Sequence, residues 1–400
     1  MDNIHRKINK KRAVGRVREK KTYENTIIKN YGVFYHYTGS TPRKICVFYG
    51  KNTHSPRCAV NYMCMAERKK EEKKKQDDAG FDLALRPTTW GEYVGQEKAK
   101  TNLRLIIDAA KKRNESCDHL LFYGQAGLGK TTLAYLIGKE MGVQVKSTTG
   151  PALEKAGDVA AILSNIEPHE ILFIDEAHRI NKLVEEILYP ALESRKLHFI
   201  VGKGPSARTF SLDLPPFTVV AATTKVNLLS NPLRSRFGAT IKLEYYKNED
   251  IEKIIRQSAR TMNTDITKEA VYILAKASRF TPRTANRLLK RARDYAEVYH
   301  NGSIDEHVVN KTLALLEVDP LGLEHTDREL LEVIIKKFNG GPVGVKALGA
   351  ALSEEAGTIE DVYEPFLMNL GFLERTSAGR IATKRAYEHL GIPLDKQKLI

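Results

Sequence analysis

Leu120-Leu121-Phe122-Tyr123-Gly124-Gln125-Ala126-Gly127-Leu128-Gly129-Lys130-Thr131-Thr132-Leu133-Ala134-Tyr135-Leu136-Ile137 decides how the rest of the chain is read. An apolar strand enters a loop of the form G-x-x-x-x-G-K-S/T, and an apolar run with helical character leaves it. Gly124, Gly127 and Gly129 let the backbone curl so that its N–H groups converge on a phosphate chain. The helix that follows adds the positive end of its dipole. In such a loop Lys130 reaches the β- and γ-phosphates, Thr132 follows at the helix start, and the Thr131 hydroxyl is placed to hold Mg²⁺. A flexible glycine loop with a chance lysine would not need strand, loop and helix in this order. The stretch therefore predicts a nucleoside triphosphate bound at the edge of a parallel α/β sheet.

Outward from this loop, composition sets limits. The chain has 400 residues, enough for two or three domains, with 42% apolar and 28% charged residues. No apolar run approaches the roughly 18 residues of a membrane helix, and the basic N-terminus lacks the apolar core of a secretory signal. Cys46, Cys58, Cys64 and Cys117 are too few for a disulfide framework at this length, which suggests a reducing, cytoplasmic setting. The net charge of +15 invites a nucleic-acid reading, but +12 of it lies in residues 1–78, which hold 20 Lys and Arg against 8 Asp and Glu. Overall charge thus says little about residues 79–400. The first 78 residues lack sustained periodicity and end in Glu67-Arg68-Lys69-Lys70-Glu71-Glu72-Lys73-Lys74-Lys75. They read as a disordered basic extension. Cys46, Cys58 and Cys64, with His36 and His54, lack the close cysteine pair usual in zinc sites, so a metal there is not expected. A natural start at Met63 or Met65 is a further expectation, testable by intact mass.

A second apolar strand, Ile171-Leu172-Phe173-Ile174, ends in Asp175-Glu176-Ala177-His178. Two carboxylates arrive at the C-terminal edge of a strand, where parallel sheets bind ligands. Asp175 suits Mg²⁺, and Glu176 suits the attacking water. The letters D-E-A-H also occur in a helicase class built from two tandem cores, for which the remaining 220-odd residues are too short. A third strand, Phe217 to Ala222, ends in Thr223-Thr224, where a hydroxyl can meet the γ-phosphate or the water. Asn231-Pro232-Leu233-Arg234-Ser235-Arg236-Phe237-Gly238 follows, and then Thr281-Pro282-Arg283 opens a helix, with Pro at its first position. Either arginine could be a solvated surface charge. Arginine is also the side chain suited to a transition-state phosphate.

In this order the chain resembles the AAA+ ATPases. The resemblance implies that Thr224 senses the γ-phosphate, that Arg236 is a finger offered to the neighbouring subunit, and that Arg283 is a second sensor. An arginine acting in trans implies a ring, expected to be a hexamer. The adenine is then expected against Leu85, Arg86, Tyr93 and Val94, with Tyr246 at the start of the lid. Longer runs resemble one family, RuvB, the motor of Holliday-junction branch migration. They are Arg86-Pro87, Tyr93-Val94-Gly95-Gln96, Leu172 to Arg179, Gly202 to Arg208, Leu212 to Thr218, Ala222-Thr223-Thr224, Ser235 to Gly238, Gly340 to Gly344 and Thr358 to Pro365. The resemblance begins near residue 81 and covers about four-fifths of the chain. Gln125-Ala126, Ala177 and Ser194-Arg195 depart from the family's usual residues, and none removes a catalytic group. Residues 199–217 read as a β-hairpin. It is either a decoration of the sheet or, as the resemblance implies, the dock for the junction-recognising partner RuvA.

The expected organisation is a basic extension over 1–78, an AAA+ P-loop domain over 79–246, a helical lid over 247–320 and an α+β winged-helix domain over 321–400. The last rests on helical spacing near 328–338, 345–355 and 359–370, with helix-start signals at Thr326 to Glu329 and at Thr358. Phe372 to Arg375 and Arg380 to Thr383 flank a turn and make the wing. Arg375 and Arg380 lie there, suited to DNA phosphates without reading bases. A winged helix that docks protein is the alternative. The lid apolar residues Leu288, Leu289, Ala292, Tyr295 and Ala296 fall at core spacing. Together the implied activity is ATP-driven migration of four-way junctions in double-stranded DNA with no membrane role. The alternative is an ATP-switched loader that assembles proteins on DNA without translocating. A transcription activator lacks its Gly-Ala-Phe-Thr-Gly-Ala loop here, and a metabolic kinase would leave Arg236 and the winged helix unused.

Overall fold

Continuous apolar runs make strands that are buried on both faces, and this chain has three of them. In the computed structural model, which describes residues 34–38, 41–45, 84–201 and 208–393, they form the middle of a five-stranded parallel sheet. The chain divides into two units, residues 1–83 and 84–400. In the first, β1 (Phe34–Thr38) pairs antiparallel with β2 (Thr41–Ile45). The Phe, Tyr, Thr and Ile content of this hairpin is that of β-prone segments. The rest of the extension, with Cys46, Cys58, Cys64 and His54, lies outside the described residues.

In the second unit the sheet contains β3 (Leu120–Tyr123), β4 (Val145–Thr149), β5 (Ile171–Asp175), β8 (Thr218–Thr223) and β9 (Ala239–Lys242), in the order β4-β5-β8-β3-β9. Strand periodicity divides their side chains between two cores. Leu120, Phe122, Ile171, Phe173, Val220 and Ala222 face one side, and Leu121, Leu172, Ile174, Val219 and Ala221 the other. Between β5 and β8 the chain forms the antiparallel pair β6 (Lys196–Val201) and β7 (Arg208–Asp213). This is the expected hairpin, begun three residues earlier; its tip, 202–207, lies outside the described residues. Phe210 and Leu212 on its return strand are exposed apolar residues.

Helix Glu97–Arg113 shows why the first core closes. Ala99, Leu103, Ile107 and Ala110 are buried at spacings of three and four, and the helix ends on Asn114 in the left-handed conformation. The same core runs on through the lid helices Asn248–Thr261, Lys268–Lys276, Pro282–Tyr299 and Glu306–Leu315, where Leu288, Leu289, Ala292 and Ala296 are buried and Tyr295 packs alongside. A third core holds the winged-helix elements: helices His325–Lys337 and Val345–Leu352, a helical segment Ala356–Thr358 continuing through a π-helical turn Ile359–Tyr363 into Glu364–Asn369, and the pair β10 (Leu373–Thr376) and β11 (Gly379–Ala382). The expected helices are present, but their starts differ. The first begins at His325, with Asp327 Oδ2 accepting from the Glu324 N–H at 2.8 Å, not from a cap at Thr326. The third begins at Ala356, two residues before Thr358. No helix among the described residues is long and apolar enough to cross a membrane.

Candidate nucleotide-hydrolysis site

The glycine loop leaves β3 with φ of 145° at Gly124, 80° at Gly127 and 93° at Gly129. Helix Lys130–Met141 then starts on Gly129, which has no side chain to cap its first N–H groups. Those donors point at the loop's concavity, which is the arrangement that takes a phosphate. A β-carbon on Gly129 would lie 2.8 Å from the Tyr93 hydroxyl. Lys130 is buried, and its Nζ donates to the carbonyls of Gly124 at 2.8 Å and Gln125 at 2.7 Å. Burial pulls its pKa down to about 8 against the upward pull of Asp175. A phosphate oxygen is a better acceptor for this ammonium than two neutral carbonyls.

The Thr131 hydroxyl lies 3.4 Å from Asp175 Oδ2. These two oxygens, from a helix start and a strand end, are the donor chemistry a hard divalent cation prefers. Asp175 Oδ1 accepts from the Glu176 N–H at 2.9 Å. Glu176 has φ of 49° and opens the 3₁₀ turn Ala177–Arg179. Its carboxylate is exposed and lies 3.0 Å from Arg179 Nη1. At the end of β8, Thr223 is buried. Its Oγ1 accepts from the Lys225 N–H at 2.9 Å and meets His178 Nδ1 at 3.0 Å. Thr224 is the next residue and is exposed. Lys225 Nζ lies 2.5 Å from Asp361 Oδ2 in the π-helical turn of the winged-helix elements.

Thr281 caps helix Pro282–Tyr299 by accepting from the Thr284 N–H. That start abuts the loop: a β-carbon on Gly127 would lie 3.1 Å from Arg283 Cβ. Arg236 ends helix Asn231–Ser235. Its Nη2 donates to Glu193 Oε2 at 2.8 Å and its Nη1 to Ser235 Oγ at 3.0 Å, while its buried Nε has no partner. Loop, acid strand and lid helix thus converge on one point.

Three family models match in succession: the RuvB P-loop domain of Holliday junction DNA helicases over residues 85–243, the RuvB AAA lid domain over 246–319 and the RuvB C-terminal winged-helix domain over 320–391. The chain belongs to the RuvB family. The Holliday junction branch migration complex subunit RuvB of Chloroflexus aggregans is 52% identical over 334 residues, 84% of this chain and 95% of that protein. The solved Thermotoga maritima RuvB, a Holliday junction branch migration motor, is 46% identical with a TM-score of 0.72, over 78% of this chain and 100% of that one. A single-residue variant of the Thermotoga maritima protein matches at 45% identity with a TM-score of 0.71.

In this RuvB-family chain the residues read from sequence fall into distinct groups. Gly127, Gly129, Lys130, Thr131 and Asp175 come together at the loop, Arg283 lies beside it, and Glu176 follows Asp175 with its carboxylate on Arg179. Tyr93 and Tyr246 do not line an open face. Both are buried, the Tyr246 hydroxyl donates to the Tyr93 hydroxyl at 3.2 Å, and both reach the Leu128 carbonyl. Burial drives the Tyr93 phenol well above its ordinary pKa and Tyr246 up to about 12, so both stay protonated and brace the loop from behind. Leu85, Arg86 and Val94 are half-buried nearby in the chain.

The wing needs a correction. Arg375 and Arg380 face each other across β10 and β11. The Arg375 side chain is 55% exposed, with Glu360 at 3.5 Å. Arg380 is 8% exposed and held by Glu364 at 2.6 Å through Nε and by Glu360 at 2.6 Å through Nη2. It is an internal strut, closed to DNA phosphates. Sequence reasoning gave His178 no role and named Thr223 only together with Thr224. The signal was present in D-E-A-H and in the doubled threonine, but only the fold shows that they touch.

Proposed function

We propose that this chain is the ATP-driven motor subunit of Holliday-junction branch migration. The observation that carries the reading is the convergence of glycine loop, acid-bearing β5 and lid Arg283 within a chain that matches the RuvB family across P-loop, lid and winged helix. Lys130 and the loop N–H groups hold the β- and γ-phosphates of ATP. Thr131 and Asp175 would hold Mg²⁺, which when bound would supply charge neutralisation for the phosphates. Glu176 turns from Arg179 to orient the water and take its proton. Thr224 faces the γ-phosphate, Arg283 follows it from the lid, and Arg236 serves the site of the adjoining subunit. That division of labour favours a closed ring, a hexamer, around one duplex arm. Arg375 contacts the DNA backbone, and the β6–β7 hairpin, with exposed Phe210 and Leu212, docks a RuvA-type junction binder. The protein works in the cytoplasm.

The test is four-way-junction migration with the cognate RuvA and Mg·ATP. Migration that requires both proteins and stops with Glu176→Gln is expected. A wild type that hydrolyses ATP yet moves no junction would instead favour a loader that switches without translocating.

A further inference from the structure

We infer that His178, acting through the Thr223 hydroxyl, is a positioning residue that fixes the turn presenting Glu176. The inference rests on the reading of Glu176 as the water-orienting base. Glu176 sits at φ 49°, an unfavourable place for a side chain with a β-carbon, and the 3₁₀ turn it opens has no side-chain cap. The turn's backbone closes on itself, Arg179 N–H to Glu176 carbonyl at 2.8 Å and Ile180 N–H to Ala177 carbonyl at 3.1 Å. Neither bond sets its angle to the sheet. Burial of Ala177 and Ile180 seats the turn in the core, and the His178–Thr223 hydrogen bond adds a directed tie to the sheet, because Thr223 is the buried last residue of β8, the strand next to β5.

The protons are consistent with a directed bond. Thr223 Oγ1 already accepts from the Lys225 N–H, which leaves its own proton to donate to an unprotonated His178 Nδ1. Four charged groups face the ring. Lys225 and Arg179 disfavour the imidazolium, Glu176 and Asp361 favour it, and burial, the largest influence, tips the balance so that the pKa lies below its ordinary value. The neutral ring is the form that accepts. One hydroxyl thereby joins the acid turn to the loop at Thr224–Lys225, so Glu176 and Thr224 share a polar anchor.

Losing this anchor should displace a catalytic group while leaving the phosphate cradle untouched. A displacement of about 1 Å costs on the order of 10²-fold in rate. With the full chain, His178→Ala and Thr223→Val should each lower kcat about 10- to 100-fold. Affinity for a fluorescent ATP analogue and the melting temperature should stay near wild type. His178→Asn and Thr223→Ser keep an acceptor and a hydroxyl and should recover kcat to within about threefold of wild type. The double variant His178→Ala/Thr223→Val should be no slower than the worse single, as two ends of one interaction. Unchanged kcat in His178→Ala, no recovery in His178→Asn, or additive losses in the double variant would each overturn the inference. A wild type without ATPase activity would instead overturn the reading beneath it.

Discussion

Replacing Arg380 by alanine would remove the cation from a buried cluster while leaving the carboxylates in place. Glu364 is 2% exposed and receives Arg380 Nε at 2.6 Å and Nη2 at 3.3 Å, a two-pronged pairing, while Glu360 takes Nη2 at 2.6 Å. Removing one partner of such a pair typically costs about 3–5 kcal/mol, because the remaining charge is left buried without compensation. The exposed Arg375 contact with Glu360 belongs to the class worth about 0–1 kcal/mol. Amide hydrogen exchange across β10 and β11 reads this locally, without assuming that a multidomain chain unfolds in one step. At tenfold per 1.4 kcal/mol, exchange there should quicken by roughly 10²- to 4 × 10³-fold in Arg380→Ala and hardly at all in Arg375→Ala. DNA binding should show the reverse pattern. Arg375→Ala should weaken binding to all sequences alike and lower the salt slope by about 1. Arg380→Met/Glu364→Leu, which removes both charges, should recover much of the protection. Unchanged exchange in Arg380→Ala, together with a loss of DNA affinity matching that of Arg375→Ala, would refute the strut.

Gly129→Ala should abolish ATP binding, since φ is 93° and the new β-carbon meets the Tyr93 hydroxyl at 2.8 Å; Gly157→Ala, in open space on a helix, should bind normally in the same equilibrium assay. Arg236→Ala should bind ATP with wild-type affinity and fail to turn it over, yet regain turnover when mixed with Lys130→Ala subunits that still supply Arg236; a homogeneous Arg236→Ala ring with full activity would remove the finger from the neighbour's site. Cys117 is buried, and burial pushes its thiol up to about 11, so alkylation at pH 8 followed by peptide mapping should leave it unmodified until the chain is unfolded.

What could be read from residues alone followed from local rules. The loop at 124–131 needs positive φ at set positions, so its glycines disclose its shape. β3, β5 and β8 carry unbroken apolar runs, Leu120 to Phe122, Ile171 to Ile174 and Val219 to Ala222, because both faces are covered there, and Pro282 marks a helix start wherever that helix lies. Non-local partners were not legible. Arg375 and Arg380 stand opposite each other in β10 and β11, and two like charges so placed need an anion between them. Glu360 and Glu364 supply it from a segment read only as a helix. Tyr93 and Tyr246 are 153 residues apart, and their joint grip on Leu128 depends on how the lid folds back. The doubled threonine shows the limit of strand alternation. One of two neighbours must face inward, but which one depends on where β8 ends.

The turn Ile359–Tyr363 and the residue after it carry three carboxylates, and the cations that offset them come from opposite directions. Glu360 and Glu364 are held by wing arginines, and Asp361 by Lys225, two residues beyond Thr223. Such a shared acid patch behaves like a balance beam. On the proposed DNA contact of Arg375, a phosphate that draws this side chain away should leave the patch more negative and tighten its hold on Lys225. A change at the nucleotide end that withdraws Lys225 tightens its hold on the wing. Because binding couplings are reciprocal, the factor by which DNA alters nucleotide affinity through this beam must equal the factor by which nucleotide alters DNA affinity. Salt that screens the half-exposed Lys225–Asp361 pair should shrink both together.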